Sequence, residues 1–291
     1  MKNRICLCAL LALFVFLSAC VNQHPEEERT EDFRIITTSA AVTDITDRLG
    51  LDLIGIPHSD LKDTPARYKD VPEIGMPMSP DIELLKSMKP DLILSPSSLE
   101  ADLKPKYEAS DIPCYFLDLK SVKSMYESIG ELGEMLDKKA EAQALRDEFT
   151  RFYEEYKTKN TGQESPRVLI LLGLPGSYIV ATENAYIGDL VKLAGGVNVY
   201  EEETEEFIAA NTEDMAGRDP DIILRAAHAL PDKVTEMFAK EFNENDIWKH
   251  FRAVREGRVY DLPYEQFGMS ATFAYPEALG ILDGMLYGSR E

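Results

Sequence analysis

The chain has 291 residues, long enough for two compact lobes with real cores. Its 52 acidic against 31 basic residues give a formal net charge of -21, which argues against nucleic acid and against binding anionic membranes by charge alone. Hydrophobic content of 44% with 29% charged residues is that of a globular protein, so wholesale disorder is excluded.

The first element is an apolar run at residues 5–17 behind Lys2 and Arg4. Thirteen residues are short for a bilayer span and suit the core of a signal peptide. The run ends in L-S-A-C (17–20), which resembles the bacterial lipobox, whose Cys is acylated before cleavage. A plain signal peptide or a buried Cys is the alternative. The expectation is a signal at 1–19, a lipidated Cys20 and an acidic tether over 20–32 in which His24 is solvated. Cys6 and Cys8 leave with the signal. Cys114 then stands alone, without an intrachain disulfide or a cysteine metal cluster.

RIITTSA (34–40) reads as a strand, AVTDITDRLG (41–50) as a helix and LDLIGI (51–56) as another strand. The second half opens alike, with RVLILLGL (167–174), YIGDLVKLAG (186–195) and VNVY (197–200). Such alternation predicts an α/β fold of two βα lobes with mostly parallel central sheets. An echo supports the division: Glu83 and Glu213 each open the pattern E-x6-P-D-[LI]-I-L, a helix running through a Pro-marked turn into a buried strand. Between the halves, apolar residues from Val122 to Tyr156 recur at helical intervals. They predict one long rigid helix of roughly 55 Å, bent at most at Gly130 and Gly133. The expected division is 33–120 for the N-terminal lobe, 121–160 for the bridging helix and 161–291 for the C-terminal lobe.

Lipobox, paired βα lobes and bridging helix together resemble the class III substrate-binding proteins of ABC importers. Segments 66–83, 174–196, 219–230 and 245–262 resemble most the heme-receptor lipoproteins of that class. The resemblance implies the class III periplasmic-binding-protein fold and a non-covalently held b-type heme in a cleft between lobes. It also implies an ABC permease as partner, an upstream heme donor and anchoring at the outer face of the cell membrane for iron acquisition.

His228, in the loop LRAAHALP, matches the heme-ligating histidine of that pattern. Met78, in GMPMSP, matches its methionine; the spacing GxPM selects Met78 over Met76. Ser79 is expected to cap the next helix, with Pro80 in its first turn. A His/Met pair saturates the iron, and the thioether favours the ferrous state relative to two nitrogens. For the propionates, N–H groups near Ala41 and Val42 at a helix start offer an anion site, and Lys62 is matched in the family. Tyr178 and Phe267 are candidate walls for the ring, and His58 is a reserve ligand. His250 is expected to pack or hydrogen-bond behind the cleft. The resemblance gives Glu83 and Glu213 the role of docking to permease arginines. No nucleophile elbow, P-loop or dinucleotide fingerprint occurs, so no enzyme is expected. A ferric-siderophore receptor of the same fold and a cargo-free adhesin are the other readings.

Overall fold

The computed structural model describes residues 33–59, 63–160 and 162–288. The signal, Cys20, the tether with His24, and Lys62 lie outside the described residues.

The first half runs β1 (Ile35–Thr37), α1 (Ala40–Arg48), β2 (Leu53–Gly55), β3 (Gly75–Met76), β4 (Ser79–Pro80), α2 (Ile82–Met88), β5 (Leu92–Pro96), α3 (Glu100–Glu108) and β6 (Cys114–Leu117). Its main sheet has the order β2-β1-β5-β6, parallel throughout. Strands β3 and β4 form a separate antiparallel ribbon.

The connector is not one helix. It breaks into α4 (Val122–Met135) and α5 (Lys139–Asn160), with Asp137 between them at φ 55°. Asp tolerates this left-handed conformation, and the chain reverses there. Tyr126 stacks on Phe149, Gly130 faces Arg146, and Gly133 faces Ala142, so the helices run antiparallel. A Cβ at Gly133 would stand 2.6 Å from that of Ala142. The glycine permits close approach rather than a bend. The periodicity was compatible with a hairpin because both helices turn their apolar faces inward.

The second half adds β7 (Arg167–Leu174), β8 (Ser177–Ala181), α6 (Tyr186–Leu193), β9 (Val197–Asn198), β10 (Phe207–Ala209), α7 (Thr212–Gly217), β11 (Ile222–Ala227), α8 (Pro231–Glu244), α9 (Arg252–Arg255), β12 (Val259–Asp261) and α10 (Tyr275–Tyr287). Its sheet order is β10-β8-β7-β11-β12, with β9 also on β7. Strands β7, β9, β11 and β12 are parallel, while β8 and β10 run antiparallel to their neighbours. Strand β7 is buried on both faces: Val168, Ile170 and Leu172 join one core, Leu169 and Leu171 another. The first of these cores continues through α4 into the other half, where it takes in Ile35, Leu94 and Leu117.

The sequence echo has a structural purpose. Asp91 accepts a hydrogen bond from the backbone N–H of Arg34 at 2.8 Å, and Asp221 accepts from that of Arg167 at 2.7 Å. Each Pro-Asp thus fastens the strand it begins to the first strand of its own half. The residue before the proline, Lys89 or Asp219, takes positive φ to end the helix.

Candidate functional site

Central strands of open α/β sheets offer ligands their carboxyl ends. His228 immediately follows β11, whose last residue pairs with Gly173 of β7. Its backbone N–H donates to the Gly173 carbonyl at 2.9 Å. Gly173 must be glycine: a Cβ there would lie 2.3 Å from Val234 and 2.7 Å from Phe238 of α8. That close approach brings α8 down on the strand end and fixes the turn carrying His228. The imidazole Nδ1 is buried without a hydrogen-bond partner among the described residues. Such orphans are rare in native proteins, and the residue as a whole is only half-buried.

Leu230, two residues on, escaped the sequence reading. It holds φ 50° and ψ 59° immediately before Pro231 and leaves its side chain 51% exposed. A branched residue in this region costs about 1–3 kcal/mol, and such strain gathers at ligand clamps and switches. Only Pro231 hinted at a constrained turn.

Met78 occupies a contrasting setting. Pro77 and Met78 form the two-residue tip of the β3–β4 ribbon, where Met76 pairs with Ser79 and Gly75 with Pro80. Ser79 and Pro80 are therefore strand residues, and Asp81 caps α2 by accepting from Leu84 N–H at 3.0 Å. Asp81 wins because the ribbon must close before the helix begins. Met78 is 66% exposed and Met76 50%. The ribbon base is stitched to residues 56–58: Ile56 N–H donates to Pro72 O, Ile74 N–H to Ile56 O and His58 N–H to Gly75 O.

The helix start in the first half is partly committed. Ser39 caps α1 by accepting from Val42 N–H at 3.3 Å, and the Val42 side chain is fully buried. Val42 is therefore corrected as an anion donor, leaving the half-buried Ala41 one residue nearer the helix start. Among the described residues, the small pocket beside the helix is lined by Asp44 and Asp63 and by no cation.

Neither aromatic wall holds. Phe267 is 1% exposed in the continuous core. Tyr178 packs on Phe238 and Trp248, and its hydroxyl donates to Glu241 at 3.3 Å. Burial, with the Glu241 charge adding, pushes this phenol up to about 12. The rings of Phe238 and Trp248 hold Tyr178, and the core holds Phe267. His250 also differs from expectation, being exposed at the end of a short 3₁₀ turn, with its carbonyl accepting from Arg255. His58 instead pairs through Nδ1 with Glu73 at 2.7 Å.

Glu83 and Glu213 occupy matching first-turn positions of α2 and α7, both exposed. Acids there gain about 0.3–1 kcal/mol from the helix dipole, so stability alone gives them a use. They are not equivalent: Glu83 pairs with Lys86 at 3.3 Å, whereas Glu213 has no ion pair among the described residues.

A polar groove of about 360 Å³ lies elsewhere, between the turn before α4 and the turn before α6. Its lysines are neutralised, Lys120 by Glu206 at 2.9 Å and Lys192 by Glu183 at 2.5 Å. Asp189 accepts from Val122 N–H at 2.8 Å, and burial raises its carboxyl to about 6. These contacts fasten the connector to the second half. Among the described residues no group of His, Cys, Asp and Glu could hold a bare metal ion.

Residues 35–265 match the family described as periplasmic binding protein. The high-affinity heme uptake system protein IsdE of Staphylococcus aureus (strain Newman) is 42% identical over 284 residues, 97% of each chain. An ABC transporter substrate-binding protein from Listeria monocytogenes EGD-e has a solved structure that is 49% identical. It matches at TM-score 0.85 over 89% of this chain and 100% of that one. The structure of S. aureus IsdE complexed with heme is 44% identical and matches at TM-score 0.83, over 88% of this chain and 99% of that one.

Proposed function

This chain belongs to the periplasmic binding protein family, with the class III fold, and from that premise we propose that it is the heme receptor of an ABC importer, with Met78 and His228 as axial ligands. Proteins of this family bind and hand over a substrate; it is not an enzyme. Heme is here the cargo. The observation that carries the reading is the half-buried imidazole at the end of a central strand, in a chain that also exposes a methionine on a ribbon tip. Imidazole and thioether together saturate iron, so the bound metal keeps no open position for oxygen chemistry. Likeness to IsdE, whose structure holds heme, supports this cargo.

In this reading Ala41 N–H and Lys62 receive propionates, and Leu230 lends apolar contact beside His228. Cys20 carries the lipid that holds the receptor at the outer face of the membrane, where a donor protein loads it. Among the described residues no helix is long and apolar enough to cross a membrane. Residues 33–120 and 161–291 act as the two lobes about the cargo. Glu83 and Glu213 meet basic residues of the permease.

Mixing purified protein with hemin and, separately, with a ferric siderophore tests the proposal. A stoichiometric Soret shift to a six-coordinate low-spin form supports it. A siderophore charge-transfer band retained by the protein, without a Soret response to hemin, replaces heme by that cargo. Binding of neither would favour a cargo-free interaction protein.

A further inference from the structure

His58 follows β2 closely enough to have been a reserve iron ligand, but its contacts point to another use. Its backbone N–H holds the Gly75 carbonyl at 2.8 Å, and its Nδ1 lies 2.7 Å from Glu73 Oε2. A carboxylate only accepts, so Nδ1 carries the proton and donates. Glu73 itself sits in a parallel bridge with Ile56. Side chain and main chain of His58 thus both grip the segment that enters the β3–β4 ribbon. That ribbon has two residues per strand and, among the described strands, pairs with neither main sheet. Two short strands alone are marginal in water, so the ribbon depends on its tether.

We propose that the His58–Glu73 pair is a positioning device that holds the Met78 tip in place for its ligand. The proposal rests on the reading of Met78 as an iron ligand and deepens it: His58 is a positioning residue, not a substitute ligand. The pair clamps one side of the ribbon, while Asp81 N–H to Ile74 O at 2.8 Å clamps the other. Gly75, at φ 99°, turns the chain between them. A ribbon so held limits the volume the thioether explores, reducing what must be ordered when the ligand binds.

The test uses the cargo-free protein first. Hydrogen exchange over residues 74–81 should quicken about two- to fivefold in His58→Ala and Glu73→Ala, the range for a partly exposed charged pair. Glu73→Gln keeps an acceptor for Nδ1–H and should restore the wild-type rate. In hemin-loaded protein, the near-infrared thioether-to-iron band should weaken in the two alanine variants and return in Glu73→Gln. Wild-type exchange in both alanine variants overturns the clamp. Faster exchange with an undiminished band overturns positioning. A low-spin Met78→Ala complex that becomes high-spin only when His58 is also removed would make His58 a ligand and overturn the proposal. The axial reading fails separately, on a thioether band that survives Met78→Ala.

Discussion

The two halves of the molecule use the same fastening and hold their candidate ligands in opposite ways. In each, a Pro-Asp after a short capped helix ties the central strand to the first strand, through Asp91 to Arg34 and Asp221 to Arg167. In the second half the ligand candidate continues directly from that central strand, and the packing of α8 against Gly173 fixes it. In the first half the candidate stands off the sheet on a two-residue tip, its thioether largely in solvent. The difference teaches that one candidate ligand is placed by the core and the other by a tether. We expect the fixed imidazole to set where the cargo sits and the tethered thioether to close on it.

The largest effect should come from attacking what the halves share. Reversing Glu83 and Glu213 together to Lys should abolish uptake by cells while leaving hemin affinity and spectrum unchanged, because like charges would face the permease. Uptake should also weaken with salt, since exposed pairs are screened over roughly 8–10 Å. Lys86 already offsets Glu83, so Glu213→Lys alone should harm uptake more than Glu83→Lys alone. Equal single effects would remove that asymmetry; normal uptake by the double variant would return both residues to helix-start duty. Loss of hemin affinity would place them on the cleft.

Next comes the contrast itself. His228→Ala should weaken hemin binding by roughly 100-fold, about 2.7 kcal/mol, and leave a high-spin spectrum. Met78→Ala should cost nearer tenfold, about 1.4 kcal/mol, because the ribbon has other exposed surface and the imidazole still anchors the iron. Titration followed in the Soret region measures both. The reverse ranking would mean that the exposed tip, not the strand end, fixes the cargo.

The smallest effect concerns the contact that joins connector and second half. Burial raises the Asp189 carboxyl from 3.8 to about 6, so the folded state holds its proton more firmly than the unfolded chain does. This contribution to stability is complete below pH ~4 and is lost as pH rises through ~6. Asp189→Asn keeps an acceptor for Val122 N–H and removes the buried charge. It should gain about 1–2 kcal/mol over wild type at pH 8 and lose that advantage by pH ~4, read from denaturant midpoints at several pH values. A variant less stable at pH 8 would show that the ionised carboxylate is worth more to the connector than its burial costs.

Much of this was legible from residues alone. The run 167–174 reads as a strand and is β7 residue for residue, since a strand buried on both faces is apolar along its buried length, here 168–173. The helix–Pro-Asp–strand echo was visible too, but not its purpose, because a backbone N–H leaves no mark in a sequence. The connector hairpin was hidden because a reversal at Asp137 preserves the helical spacing of apolar residues on either side. Tyr178 and Phe267 misled for a related reason: aromatic residues suit a heme wall and a core equally, and only Trp248 and Phe238 packing against Tyr178 settle its place. The cap at Asp81 rather than Ser79 turned on the ribbon, whose two-residue strands are too short to announce themselves.

Near-infrared magnetic circular dichroism of the ferric, hemin-loaded protein tests the axial pair most directly. Wild type should show the thioether-to-iron band of a His/Met complex; Met78→Ala should lose the band while retaining bound heme, and His228→Ala should lose the low-spin state altogether. A bis-imidazole spectrum in the wild type, or a thioether band that survives Met78→Ala, would contradict the assignment and move the ligand to His58 or Met76.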